Sequence, residues 1–239
     1  MTTVVISQPM YFPWAGFMGQ MARADVFIWL DDAQFSKGSF TNRVQIRTAS
    51  GSKWMSIPLV GKGAFQQIAA LEAAEARWRC GHRDLLRQQL AGAPHLPLAL
   101  DAFDAALSHE RLVDVLIASA EEPARRMDIL PSRIMRSSTM GLSTTSSRRV
   151  LELVQAVGGS RYLTGHGAAN YLDHPLFDQA GIAVEYMCYD VMPWLQRFEG
   201  FTPYVTVLDL LANVADDARA HIGGRSEPWR DFLERRHQL

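Results

Sequence analysis

The 239-residue sequence predicts an α/β fold built on one parallel sheet flanked by helices. Three observations carry that prediction. Short β-branched or aromatic runs alternate with helical stretches in both halves of the chain, the pattern of α/β layers. The first two runs, Thr3–Ser7 and Asp25–Leu30, enclose one helical segment and together have the length of a βαβ unit. Hydrophobic residues make up 48% of the chain, enough for a core and too many for a disordered state.

Thr3–Ser7 (TVVIS) reads as a buried strand that Gln8-Pro9 ends, because proline offers no N–H to the sheet. Ala15–Arg23 reads as a helix and Asp25–Leu30 (DVFIWL) as a second buried strand closed by Asp31-Asp32. A right-handed crossover makes these strands parallel, with both C-terminal ends on one edge. A polar-aromatic loop, Gln34–Thr41, precedes two strands, Arg43–Thr48 and Trp54–Val60, on either side of Ser50-Gly51. Helices are expected at Leu85–Ala91 and Arg111–Arg126, and a strand at Arg133–Arg136. Ser147–Val157 is a helix stopped by Gly158-Gly159. There follow a strand (Arg161–Thr164), a tight Gly165-His166-Gly167 loop, a short helix (Asp173–Gln179), a strand (Ile182–Cys188) and a helix (Thr206–Val214). The domain expectation is one unit over residues 1–222. It carries a hairpin insertion near 42–60 and a helical insertion near 80–128. Residues 223–239 are expected to form a tail or short helix.

Twenty-four Lys and Arg against 25 Asp and Glu give a net charge of −1. This excludes a protein that coats duplex nucleic acid, which requires clustered cations to displace counterions. Two cysteines exclude a disulfide framework and a four-cysteine zinc site. No apolar run is long enough to span a membrane, and residues 1–8 lack the basic and apolar regions of a secretory signal, so the expected location is the cytoplasm. The histidines show no metal-ligand spacing, and no metal site is expected.

In open α/β sheets, ligands bind where strand C-termini meet. Gln8 ends the first strand, Asp31, Asp32 and Gln34 follow the second, and Lys37, Asn42 and Arg43 come next. Two carboxylates with a lysine and an arginine suit an anionic or zwitterionic substrate; the plain alternative is a polar turn. Tyr11, Phe12 and Trp14, fixed between Pro9 and Pro13, either wall a pocket or belong to the core. Gly165, His166 and Gly167 precede Tyr171 and offer backbone N–H groups to an anion, with His166 as a base. Cys80 is exposed to a thiol reading only by its nearness to His82, and Cys188 reads as a core residue. Arg125-Arg126 and Arg148-Arg149 read as solvated helix faces or docking sites for an acidic partner.

The stretch QPMYFPWAGFMGQMARADVFIWLDDAQFSKGSFTNR resembles the signature of the WbqC-like family. RYLTGHGAANYLDHPLFDQAGIAVEY and LDLLANV resemble it further on, in the same order. Ser7, Met10 and Gly38 depart from the pattern. The resemblance implies an enzyme of polysaccharide or natural-product biosynthesis that forms an amide. An activated aminoacyl or related acyl group passes to an amine of an amino sugar or small metabolite. It also implies a role for Ser36, and for His82 through its place after Trp78. On this reading Asp31 or Asp32 is the base, Lys37 and Arg43 hold a carboxylate or phosphate, and Gln8 and Asn42 supply neutral hydrogen bonds. The implied partners are a sugar-nucleotide or small amine acceptor and an activated acyl donor, on a carrier protein or as an aminoacyl-tRNA. No cofactor is implied. A more distant likeness of the opening strand-turn-helix to HUP-type nucleotide-binding domains suggests a Rossmann-like sheet. It also suggests an alternative, an ATP- and Mg²⁺-using ligase or nucleotidylyltransferase. The turn histidines of that class are absent here. A non-catalytic assembly or ligand-binding protein is the third reading.

Overall fold

The computed structural model describes residues 1–238. Eight strands and eight α-helices are present among them. β1 (Thr3–Ser7), α1 (Ala15–Ala22) and β2 (Val26–Trp29) form the expected parallel βαβ unit, with Val4 opposite Val26 and Ser7 opposite Trp29. A separate antiparallel hairpin follows, β3 (Arg43–Thr48) and β4 (Gly51–Ser56). The helical layer comprises α2 (Trp78–Gln89), α3 (Leu96–Ala106) and α4 (Leu112–Arg126). The chain then returns to the sheet through β5 (Arg133–Arg136), α5 (Ser146–Ala156), β6 (Arg161–Thr164), α6 (His174–Gln179) and β7 (Ala183–Cys188). It closes with α7 (Val207–Val214), β8 (Arg225–Pro228) and α8 (Trp229–His237).

The sheet order is β5-β2-β1-β6-β7-β8. The first five strands are parallel and β8 runs antiparallel to β7. Strand periodicity divides the core. Val5, Phe27, Trp29, Leu163 and Met187 face α1, α7, the hairpin and the helical layer. Val4, Ile6, Val26, Ile28, Tyr162, Val184 and Tyr186 face α5, α6 and α8. Both faces are covered, which is why β1 and β2 read as continuous apolar runs rather than alternating ones. After β1 the chain builds outward through β2 to β5, then recrosses to β6 on the other side of β1. The β1/β6 junction is therefore a topological switch point, where neighbouring connections leave on opposite faces and a crevice opens.

Three expectations change. The helical insertion has a third helix, α3, which Pro94 and Pro97 concealed; Pro97 sits in its first turn, where a missing N–H costs nothing. β4 begins at Gly51, not Trp54, because Gly51 with φ 114 closes the two-residue turn opposite Thr48. Residues after 222 hold the expected short helix, α8, but also a strand: β8 extends the sheet, and Phe232 of α8 stacks on Tyr186 at 4.1 Å.

The segment between β7 and α7 is tied down by Asp209, in the first turn of α7 and 1% exposed. Its carboxylate accepts from the Trp194 indole N–H at 2.7 Å. Burial pushes its pKa up to about 6, although the Trp194 hydrogen bond opposes the shift. A raised carboxyl pKa favours the folded state while protonated. That contribution is complete below the unfolded pKa near ~3.9 and is lost as pH rises through about 6. Asp209→Asn keeps the acceptor oxygen without the charge. It is predicted to be the more stable protein above pH ~7, by about 2–3 kcal/mol relative to their difference at pH ~4. Urea unfolding of both proteins across that range checks it; a pH-independent difference contradicts it.

Candidate functional site

The segment Gln8–Trp14 leaves β1 at the switch point and is pinned by its own aromatics. Tyr11 and Phe12 are fully buried. The Tyr11 backbone N–H donates to the Phe40 carbonyl at 3.0 Å, and its hydroxyl meets His82 Nδ1 at 3.0 Å. Phe12 has φ 41, its N–H donates to Ser119 Oγ at 3.0 Å, and its ring stacks on Phe103 at 5.3 Å. With Tyr11 and Phe12 turned into the helical layer, Gln8, Met10 and Trp14 are left on the other side, lining a cleft.

That cleft lies along the C-terminal ends of β1, β2 and β6. One lobe, of about 470 Å³, is lined by Ser7, Gln8, Trp14, Gln20, Phe40, Thr164, Gly165, His166, Gly167, Tyr171 and Tyr189. A second lobe, of about 500 Å³, is lined by Gln8, Asp32, Gln34, Gln67, residues 142–146, Arg149 and Tyr171. Gln8, Leu30, Val150 and Tyr171 belong to both, so the lobes adjoin at the switch point.

The first lobe is aromatic and amide-lined. Trp14 packs on Tyr189 (4.7 Å) and Tyr204 (5.4 Å). Gln20, 4% exposed on the otherwise apolar α1, makes no side-chain hydrogen bond among the described residues and opens to the cleft. Burial pushes the Tyr189 phenol up to about 12, so it is a neutral donor near pH 7. Gly165 lies against that hydroxyl: a Cβ there would stand 2.7 Å from Tyr189 Oη. His166 Nε2 lies 2.8 Å from the Met187 carbonyl. A carbonyl only accepts, so Nε2 carries a proton, and Nδ1 is the acceptor in the neutral imidazole.

The second lobe is polar and cationic. α5 begins at Ser146 with no side-chain cap and no acidic residue in its first turn, which leaves its first N–H groups without a side-chain partner among the described residues; Ser143, Thr144 and Thr145 line the lobe just before it, and Thr144 Oγ1 donates to Glu152. Arg149, 12% exposed, pairs with Asp32 and also donates to the Leu142 carbonyl. Ser137 Oγ donates to Asp32 Oδ1 at 2.6 Å.

The candidates named from the sequence separate into groups. Gln8, Trp14, Asp32, Gln34, Gly165, His166, Gly167 and Tyr171 line the cleft. Asp31, 1% exposed, does not: its carboxylate accepts from Ser138 N (3.0 Å), Ser138 Oγ (2.8 Å) and Ser137 Oγ (3.3 Å), clamping the turn after β5. With these bonds made, Asp31 is a positioning residue. Lys37, Asn42 and Arg43 line a different cavity, of about 360 Å³, with Lys62. The expected mixed-charge pocket is thus divided, because Phe35 is buried as a plug and its N–H bonds Gln66 O at 2.8 Å. Asn42 donates to the Ile57 carbonyl at 2.9 Å, a hairpin contact, and Ser36 is exposed outside these cavities. His82 lies in none of them. It packs on Tyr11 and Trp78, and burial lowers its pKa to about 4. Of the arginines expected on solvated helix faces, Arg125 and Arg148 are (58% and 76% side-chain exposure), whereas Arg126 and Arg149 are held in ion pairs at 20% and 12%.

Gln20, Tyr189 and the Ser143–Ser146 hydroxyls escaped sequence reasoning, and Arg149 was legible only as part of a helix face. Only Gln20 carried a local signal, as one amide in the wholly apolar helix AGFMGQMA. Among the described residues no cluster of three or more His, Cys, Asp or Glu is placed to hold a metal ion. Among the same residues no helix is long and apolar enough to cross a membrane.

The model of the WbqC-like protein family matches residues 8–221, from the end of β1 to the segment after α7. The chain belongs to the WbqC-like family. It is also similar to a Mycobacterium tuberculosis (strain ATCC 25618 / H37Rv) protein named "Uncharacterized protein Rv1507c". The two are 30% identical over 235 residues, covering 91% of this chain and 96% of that one. No solved structure matches it. The WbqC-like match contains every residue of both cleft lobes except Ile6 and Ser7, and it excludes β8 and α8.

His82 and Gly165 give a paired test of this division. A His held at a pKa of about 4 stabilises the fold above the unfolded pKa near ~6.5, and that contribution is lost as pH falls toward 4. His82→Gln is predicted to remove about 2–3 kcal/mol of acid-side destabilisation from the pH profile of unfolding. Gly165→Ala must push Tyr189 aside. It is predicted to cost about 1–3 kcal/mol and to narrow the first lobe, read by thermal melting and by loss of ligand-induced stabilisation.

Proposed function

We propose that this WbqC-like protein is an amide-forming acyltransferase whose acceptor is an amine carried on a phosphorylated small molecule such as an amino sugar nucleotide. The observation that supports the reading is the two-lobed cleft at the switch point. One lobe joins an arginine, hydroxyls and an uncapped helix N-terminus, a combination suited to phosphate. The adjoining lobe joins aromatic walls to neutral amide and phenol donors, a combination suited to a ring and a reacting carbonyl.

Amide formation requires a neutral amine, a carbonyl whose developing negative charge meets fixed donors, and two substrates held in line. His166 Nδ1 takes the ammonium proton, since its Nε2–H is committed to Met187. Gln8, Gln20 and the Tyr189 hydroxyl donate to the carbonyl oxygen. Arg149 holds the acceptor phosphate, with Asp32 keeping the guanidinium in place until the phosphate arrives.

Gln20 separates this reading from a purely structural one. The Gln20 amide opens into the cleft and has no protein partner among the described residues, so replacing it breaks no hydrogen bond of the fold. Gln20→Met is therefore predicted to hold or raise the melting temperature while lowering turnover by ~10²–10³-fold. A fall in stability with unchanged turnover overturns the assignment. For substrate class, UDP- or dTDP-linked amino sugars are predicted to raise the melting temperature of the wild-type protein. The double variant Asp32→Asn/Arg149→Gln, which removes the pair without stranding a charge, is predicted to lose that effect. Stabilisation by ATP with Mg²⁺, with pyrophosphate released only when an amino acid is present, would replace this reading with an ATP-dependent ligase.

A further inference from the structure

The net charge of −1 conceals a strong segregation. Between Asp32 and Glu72 there is no acidic residue, yet this stretch holds Lys37, Arg43, Arg47, Lys53 and Lys62. It contains all three lysines of the chain. All three are exposed. Every ion pair among the described residues uses an arginine, and none uses a lysine. Lys37, Arg43 and Lys62 surround one cavity of about 360 Å³ with no carboxylate in its wall.

Aromatic faces interleave with these cations. Arg43 lies over the Trp54 ring at 4.1 Å, and Trp54 (38% exposed) meets Phe40 (39% exposed) at 5.7 Å. Phe65, three residues beyond Lys62, is 92% exposed on a backbone with φ 58. A left-handed backbone that presents a phenyl ring to water is not explained by packing. Phe40 also lines the first lobe of the cleft, so the basic-aromatic face runs into the site.

We infer that this hairpin face docks a single-stranded nucleic-acid end that carries the acyl group, as a ribose ester, into the cleft. The inference rests on the acyltransfer reading and names its donor. Unpaired lysines contact phosphates, and exposed aromatics stack on bases whatever their sequence. An acidic protein helix would use the cations but not the ring faces. The chemistry balances without a further reagent. The acceptor amine attacks the ester carbonyl carbon, a C–N bond forms, and the C–O bond to the ribose breaks. The amine proton ends on the departing ribose hydroxyl.

The test is fluorescence anisotropy of the full chain with a labelled single-stranded RNA of about 12 nucleotides, with duplex DNA of equal length and a polyglutamate peptide as comparisons. Wild-type protein is expected to bind the single strand most tightly, with a log–log salt slope near about −2 for three phosphate contacts. Lys37→Ala/Lys62→Ala is expected to weaken binding by ~10-fold or more and flatten the slope. Trp54→Ala is expected to weaken it by ~5–100-fold. The salt slope of the wild type stands even if a variant fails to fold. Absence of binding at about 100 µM RNA in low salt overturns the inference, as does tighter binding of the duplex or the acidic peptide. Wild-type protein stabilised by amino sugar nucleotides but blind to RNA overturns the docking inference alone. Protein blind to both overturns the reading of the cleft as well.

Discussion

The backbone strain at Phe12 is the constraint on which the site depends. A phenylalanine at φ 41 costs about 1–3 kcal/mol. Fully burying its ring against Phe103 returns a comparable amount, about 2–3 kcal/mol, and Ser119 satisfies its N–H. The left-handed turn sends Tyr11 and Phe12 into the helical layer. It thereby leaves Gln8 and Trp14 on the opposite side, at the mouth of β1. A fully extended Gln8–Trp14 segment would alternate its side chains differently and put an aromatic ring where the cleft now opens. The helical insertion is thus more than cover. α2, α3 and α4 supply His82, Phe103 and Ser119, the three partners that make this turn affordable.

The sheet topology supplies the second condition. Because the chain recrosses from β5 to β6, α5 starts on one side of the β1 terminus and the Gly165–Gly167 loop on the other. Two unlike environments meet at Gln8. One gathers an arginine, hydroxyls and helix N–H groups; the other gathers rings and neutral donors. Asp31 and Asp32 hold this arrangement together from adjacent positions with different tasks. Asp31 is spent on the turn after β5, whereas Asp32 reaches Arg149 in the cleft wall. The two carboxylates share the Ser137 hydroxyl, at 3.3 and 2.6 Å, yet only Asp32 lines the cleft.

Much of the fold was legible in the sequence because β1 and β2 are buried on both faces and announce themselves as apolar runs. α3 was not, since two prolines near its start look like breakers until one is seen in the first turn. β8 was not either: RSEP has no strand periodicity and pairs only because it lies beside β7. The site was partly legible. Gln8, Trp14 and the Gly165–Gly167 loop could be placed from strand ends alone. The pairing of Asp32 with Arg149 could not, because it joins residues 117 positions apart through a crossover. Lys37 and Arg43 follow Asp32 closely in sequence, but Phe35 plugs the space between them. Charge counted over the whole chain hid the segregation that counting by segment exposes.

The most direct measurement of the central claim is hydrogen–deuterium exchange of the wild-type protein with and without a nucleotide-linked amino sugar. The account predicts slower exchange in two places: the residues 142–150 that open α5, and residues 162–171 around the Gly165–Gly167 loop. Peptides covering His82 and α2 should be unchanged. Protection confined to α2 and the Tyr11–His82 contact, with the β1/β6 crevice unaffected, would contradict it.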